Sequence, residues 1–265
     1  MSDSRAIGIF DSGVGGLTVF SEVEKTLPRE EVVYFGDTAR VPYGTKSKET
    51  ITKFSVENVE FLMKHNVKLV IVACNTASSL SLEFLKRCFR VPIIGVIEPG
   101  AKMGVNSTRN NKIGVIGTNA TISSGAYEKA IKKISSRVTV FSRSCPLFVP
   151  LAEEGWNECK IAENIASVYL EPVRKKKVDT LILGCTHYPL LKNVIKKVMG
   201  NKVLLVDSAQ EVAKEARAIL DASGLLNANT GRKKHKFFVS DEPEHFIKLS
   251  NRFLKKKIGC VTKAK

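Results

Sequence analysis

No stretch of this 265-residue chain stays apolar for anything near the ~20 residues that a membrane-spanning helix requires, so no membrane partner is expected. The amino end, MSDSRAIGIFDSG, has no basic segment followed by a long apolar one. A secretory signal is therefore not expected, and the cytoplasm is the expected compartment. There is no CxxC pair and no run of histidines at metal-ligand spacing. The six cysteines (74, 88, 145, 159, 185 and 260) stand singly. That pattern argues against a zinc site or a disulfide framework and reads as reduced thiols. Cys88, in a helical LEFLKRC pattern, is expected to be small apolar packing. Neither a P-loop nor a dinucleotide fingerprint occurs. Acidic residues are scarce beside basic ones, 26 against 42, for a net charge of +16. Residues 232–265 hold 11 Lys or Arg against 3 Asp or Glu. No nucleic-acid recognition motif with interleaved aromatics accompanies this tail, so the cluster around Lys255 reads as a solvated helix end and no nucleic-acid partner is expected. A basic surface also favours acidic small molecules.

The chain is organised around Leu181 to Leu191, LILGCTHYPLL. A short apolar run stops at Gly184 and delivers a thiol, a hydroxyl, an imidazole and a phenol in succession: Cys185, Thr186, His187 and Tyr188. In open α/β sheets, ligands bind outside the carboxyl ends of the strands, so this reads as a strand end at a site. Val67 to Ser79, VKLVIVACNTASS, repeats the layout, with Cys74, Asn75 and Thr76 after the apolar run. A third strand end, Ala6 to Phe10, is followed by Asp11, Ser12 and the glycine-rich GVGG. That turn permits close backbone approach and an anion at a following helix start. Asp11 and Ser12 are equally readable as caps of the helix expected over Leu17–Thr26. The loop after the strand at Glu31–Phe35, GDTARVPYGTKS, brings Asp37, Tyr43, Gly44 and Thr45 to the same edge. Helices are expected over 47–64, 77–87, 161–170, 211–222 and 243–257, with further strands at 91–97, 138–141, 203–206 and 237–240. Glu98, Pro99 and Gly100 read as punctuation of the chain, and Glu153 and Glu154 as residues ahead of the helix containing Ile161 to Leu170.

The pattern restarts at Lys112. KIGVIG repeats AIGIFD, and Val138–Phe141 answers Val32–Phe35, both at an offset of 106 residues (7 to 113, 32 to 138), while Cys185 answers Cys74 at 111. Three strands in the same order at a near-constant offset argue for two similar halves. The expected fold is α/β, with two doubly wound, mainly parallel domains related by a pseudo-two-fold. Residues 1–97 and 208–265 would form the first domain and 98–207 the second, with the site in the cleft between them.

Equivalent strand-end cysteines of such halves face each other. A thiolate can abstract a proton, and its ordinary pKa of about 8.5 lies within reach of neutrality. One thiol on each side suits a nearly symmetric reaction, the inversion of a stereocentre, in which one group takes a proton and its counterpart returns one to the opposite face. Asp11 and His187 are placed to tune one thiol each. A single strand-end cysteine is also compatible with inert packing, and His187 with a structural hydrogen bond.

These residues resemble the cofactor-independent glutamate racemases of the aspartate/glutamate racemase superfamily. The resemblance runs through GIFDSGVGGLTV, GDTARVPYG, VACNTAS, GVIEPGA, GTNATI, CPLFVPLAEEG and LGCTHYPLL and covers nearly the whole chain. It implies interconversion of L- and D-glutamate without pyridoxal phosphate, other cofactor or metal, supplying D-glutamate for peptidoglycan. It implies Cys74 as the base for the D-enantiomer and Cys185 for the L-enantiomer, assisted by Asp11 and His187, with Asp37 and Glu153 as lesser candidates. Substrate binding is implied for Asp11, Ser12, Tyr43, Gly44, Asn75, Thr76, Thr118, Thr121, Thr186 and His187. A homodimer of two-domain subunits is also implied. Ser123 stands where many relatives place a basic residue. The chain begins almost at its first strand, so activation by a peptidoglycan precursor, found in relatives with an amino-terminal extension, is not expected. A racemase for another acidic amino acid such as aspartate remains the nearest alternative. A cleft that binds a solute without chemistry is the alternative from a different class.

Overall fold

Strand and helix alternate from the first residues onward, because short β-branched runs are each followed by a segment of helical periodicity. The computed structural model describes residues 3–229, 231, 233–254 and 256–264. Its elements are β1 (Ile7–Asp11), α1 (Leu17–Thr26), β2 (Val32–Gly36), α2 (Lys48–Lys64), β3 (Leu69–Val72), α3 (Asn75–Cys88), β4 (Ile93–Gly95), α4 (Ile97–Ser107), β5 (Lys112–Gly117), α5 (Asn119–Ser123) and α6 (Ala126–Ile134). There follow β6 (Thr139–Ser144), α7 (Phe148–Glu154), α8 (Lys160–Arg174), β7 (Thr180–Gly184), α9 (Lys192–Met199), β8 (Leu204–Val206), α10 (Ala209–Ala222), β9 (Lys236–Val239), α11 (Pro243–Leu254) and β10 (Val261–Lys263).

Two parallel sheets result. The first has six strands in the order β10-β9-β2-β1-β3-β4, the second four in the order β6-β5-β7-β8. The four-strand order of the second sheet is that of β2-β1-β3-β4 in the first, so the duplication read from the sequence is a duplication of topology. The register refines it. Ile7 pairs with Val32 and Leu69, and Ile113 pairs with Val140 and Thr180. The equivalent of Val32 therefore lies 108 residues on, not 106. A slip of two keeps every side chain on its own face, which is why the pattern was readable despite the shift. The core strands β1, β3 and β7 are buried along their whole length, as sheets covered on both faces by helices demand.

The two sheets are tied at α4 and α10. The chain leaves the first sheet after Gly95 and returns after Val206, and α10 packs against both α1 and α4. One apolar cluster runs continuously from Ile7, Ile9 and Leu17 through Ile97, Val212 and Ala216 to Ile113, Val115 and Ile182.

Several local expectations are corrected. Glu98, Pro99 and Gly100 do not break the chain; they lie in the first turns of α4, where a proline lacks no needed donor. Neither Asp11 nor Ser12 caps α1, whose N-cap is Gly16. Glu153 and Glu154 do lie ahead of the helix with Ile161, and they end a further short helix, α7. α3 begins two residues early, directly after Cys74. Cys88 is exposed, because the buried stripe of α3 runs Ser81, Leu82, Leu85 and passes on to Phe89. The last helix ends at Leu254; Lys255 lies outside the described residues. No helix of the described residues is long and apolar enough to cross a membrane.

A buried ion pair pins the side of the first sheet remote from the cysteines. Lys68 Nζ lies 2.7 Å from Glu30 Oε2, and both side chains are essentially inaccessible. The same ammonium donates to the Asp3 and Leu225 carbonyls at 2.7 Å each, joining four segments. Removing one partner of a buried pair strands the other's charge. Lys68→Ala is therefore expected to destabilise the fold by about 3–5 kcal/mol, read by urea unfolding.

Candidate active site

The carboxyl ends of β1, β3, β5 and β7 converge on a cavity of about 360 Å³, within the roughly 300–1,000 Å³ range of small-molecule sites. Ser12, Gly13, Tyr43, Gly44, Thr45, Cys74, Asn75 and Thr76 line it from the first half, and Thr118, Asn119, Glu153, Cys185, Thr186 and His187 from the second. Both strand-end cysteines thus open into one space. Asp11, Asp37 and Thr121, expected at the site, do not line the cavity; they stand directly behind it.

Cys74 is the N-cap residue of α3, immediately after β3, and its side chain caps nothing. Its sulfur lies 3.7 Å from Ser12 Oγ. Burial pushes the thiol up to about 12, with the Asp11 carboxylate adding to the effect and the Ala77 amide and Ser12 opposing it. A helix N-terminus favours a thiolate, but here desolvation outweighs it, so Cys74 rests as the neutral thiol. Asp11 is completely buried. Burial raises its carboxyl above the usual range, against the lowering influence of His187 and of the Gly13, Gly16 and Ser12 amides. Its Oδ2 accepts from Gly13 N–H at 3.0 Å, while Oδ1 has no protein donor.

The second thiol has different company. Cys185 Sγ lies 3.9 Å from His187 Nδ1, and His187 Nε2 lies 2.9 Å from Glu153 Oε1. Burial opposes charge on the imidazole, but the bonds to Cys185 and Glu153 prevail and raise its pKa to about 10. The imidazolium in turn helps hold Glu153 below the usual carboxylate range, against the effect of burial. At neutral pH the arrangement is Glu153⁻, His187⁺ and the Cys185 sulfur in series. Phe253 of α11 closes the ring's edge at 5.3 Å.

The halves meet through small residues and hydroxyls. A Cβ built on Gly15 would lie 2.3 Å from Thr186 Oγ1 and 2.6 Å from the His187 ring, so only glycine lets the first loop approach the second. Gly15→Ala displaces the Cys185 loop and is expected to lower kcat/KM on the order of 10²-fold, as small misplacements of reacting groups do, in a steady-state assay. Thr76, Thr118 and Thr121 form a triangle of hydroxyls at 2.9, 3.2 and 3.0 Å that bridges the halves. Asp37 holds Tyr43: it accepts from the Tyr43 hydroxyl and pairs with Arg40 at 2.7 Å. The Tyr43 hydroxyl is thereby spent within the first half.

The apolar wall was not read from the sequence. Val41, Pro42, Pro146, Val149 and Pro150 complete the lining, and none carries a reactive group that would single it out. A cavity lined by hydroxyls, two side-chain amides, two thiols and aliphatic carbons suits a small, multiply charged molecule with a short carbon chain.

The model of the Asp/Glu/hydantoin racemase family matches residues 7–216. The chain belongs to that family. Among curated proteins, this racemase is 55% identical to the glutamate racemase of Geobacter metallireducens over 257 residues, 97% of this chain and 95% of the relative. Among solved structures, glutamate racemase isoform RacE1 of Bacillus anthracis superposes with a TM-score of 0.95 at 41% identity, covering 98% of this chain and 97% of that one. Glutamate racemase of Francisella tularensis in complex with D-glutamate gives 0.93 at 39% identity, covering 99% and 98%. The enzyme is thus an amino-acid racemase, an isomerase, and its α/β architecture is that of the glutamate racemases.

Proposed function

We propose that this racemase interconverts L- and D-glutamate by a two-base proton transfer, with Cys185 acting on the L-enantiomer and Cys74 on the D-enantiomer. The observation that carries the reading is the placement of two thiols at equivalent strand ends of a duplicated fold, both lining one cavity. Their surroundings assign the resting roles. Cys185, 3.9 Å from the imidazole that pairs with Glu153, is the base toward L-glutamate. Cys74, held neutral by burial, is the acid that returns a proton to the other face. In the reverse direction the roles exchange. Asp11, completely buried and with one carboxylate oxygen free of protein donors, assists Cys74 from behind the lining. Acid and base both come from side chains of this chain, so the reading requires neither pyridoxal phosphate nor a metal.

Ser12, Asn75, Thr76, Thr118 and Thr186, with the amides at Tyr43 and Gly44, would hold the carboxylates and ammonium, since hydrogen bonds to charged groups are the stronger ones. Asp11, Thr121 and Asp37 support those contacts from behind. We assign residues 1–97 with 208–265 to one domain and 98–207 to the other. The working thiols require a reducing compartment, which supports the cytoplasm, and supply of D-glutamate for peptidoglycan is the role that the resemblance supports. Leu147, Trp156, Ile161 and Val168, all about half or more exposed, offer apolar area to the expected homodimer.

Incubation of chelator-treated, cofactor-free protein with L-glutamate, followed by optical rotation, tests the substrate. Decay of the signal to zero supports the reading. A constant signal with glutamate and a decaying one with aspartate transfers the activity to the other acidic amino acid.

A further inference from the structure

Tyr127 of α6 lies outside the cavity lining, yet it touches both cysteine loops. Its ring is 3% exposed. Its hydroxyl donates to Asn75 Oδ1 at 2.7 Å, in the residue directly after Cys74. The other side of the same ring packs on the residue directly before Cys185: a Cβ built on Gly184 would lie 3.0 Å from Tyr127 Cε2. A third contact ties the ring to the chain crossings. A Cβ built on Gly100 of α4 would lie 3.3 Å from Tyr127 Oη and equally close to Ser208 Cβ, at the start of α10. One phenol in the second half therefore meets the Cys74 loop, the Cys185 loop and α4, and its hydroxyl interacts with Ser208 at the start of α10.

The hydrogen bond has a chemical consequence. A side-chain amide has one oxygen acceptor and two N–H donors. Asn75 lines the cavity, and with its oxygen bound to Tyr127 from behind, the face left for the cavity is the NH₂ group. We propose that Tyr127 is a positioning residue for racemisation, fixing the Asn75 amide so that it presents donors to a substrate carboxylate while spacing the Cys74 and Cys185 loops. Without the phenol hydroxyl the amide turns freely, and its oxygen can face a carboxylate, which repels it. The effect falls on binding before it falls on proton transfer, because neither thiol loses its own neighbour. This rests on the proposed glutamate reading.

The test is a double-mutant cycle of Tyr127→Phe and Asn75→Ala, assayed in both directions with KM and kcat resolved and thermal melting measured alongside. Tyr127→Phe keeps the ring and removes one oxygen. The expected result is a rise in KM of about tenfold, the scale of one hydrogen bond to a charged group, with a smaller change in kcat. In the Asn75→Ala background, removing the hydroxyl is expected to add almost nothing to KM. The proposal is overturned if Tyr127→Phe lowers the melting temperature with KM unmoved, or if the two KM effects multiply. Inactivity of the unmodified enzyme toward glutamate would sink the substrate reading instead, so the two failures are distinguishable.

Discussion

Cys185→Ala and Cys74→Ala each lose racemisation by at least about 10³-fold, within the range for loss of a positioned acid or base, and they leave behind opposite exchange activities. With Cys185 gone, Cys74 can still remove and return the proton of D-glutamate, so D-glutamate exchanges its Cα hydrogen with solvent while L-glutamate does not. Cys74→Ala shows the mirror pattern. The equilibrium constant between enantiomers is one, so kcat/KM for racemisation must fall equally in both directions in either variant. Only the exchange experiment separates the two cysteines. Loss of exchange with both enantiomers, in a folded variant, would mean that the remaining thiol is not an independent base. The asymmetry of the site adds detail. Cys74 is buried and held up to about 12, whereas Cys185 has an imidazolium within 3.9 Å.

His187→Asn is expected to lower kcat on the order of 10³-fold, because it removes the charge that offsets the negative sulfur of Cys185. Glu153→Gln separates the roles of the two groups. The bonds of His187 to Cys185 and Glu153 together raise the imidazole from 6.5 to about 10 against burial. Without the carboxylate, the pKa falls, and NMR titration of the imidazole reads this without interference from the substrate's amine. If the pKa of Glu153→Gln stays near that of the parent enzyme, Glu153 is not what holds His187 charged. The same shift affects folding. A raised pKa contributes stability that is fully present below about 6.5 and is lost as pH rises through about 10. Glu153→Gln should flatten that alkaline loss.

The halves of the molecule were legible in the sequence to unequal degrees. Strand ends that carry Cys74 and Cys185 stand out because an apolar run stops abruptly at polar residues, and the repeat shows that the two halves share one topology. β10 was not legible: its three residues, Val261–Lys263, pair with β9 at the sheet edge among the described residues and sit in a lysine-rich tail without alternation. α4 was obscured by Pro99 and Gly100, which punctuate a sequence but are tolerated in a first helical turn. At the site, the strand-end side chains with reactive groups are legible, whereas the depth of Asp11, Asp37 and Thr121, which stand behind the lining, is not. Sequence carries the chemistry of a side chain but not its depth. The apolar wall and Tyr127 escaped for the converse reason, since their parts are set by position alone.

The central claim is that one thiol removes the proton and a different thiol supplies its replacement. The most direct measurement is enantiomer-resolved mass analysis of glutamate in the first few per cent of turnover of L-glutamate in D₂O. The account predicts D-glutamate carrying deuterium at Cα while the remaining L-glutamate stays protiated, because the delivered hydrogen comes from solvent-equilibrated Cys74. D-glutamate that retains the original protium, or an L-glutamate pool that gains deuterium as fast as D-glutamate forms, would contradict it and point to a single base serving both faces.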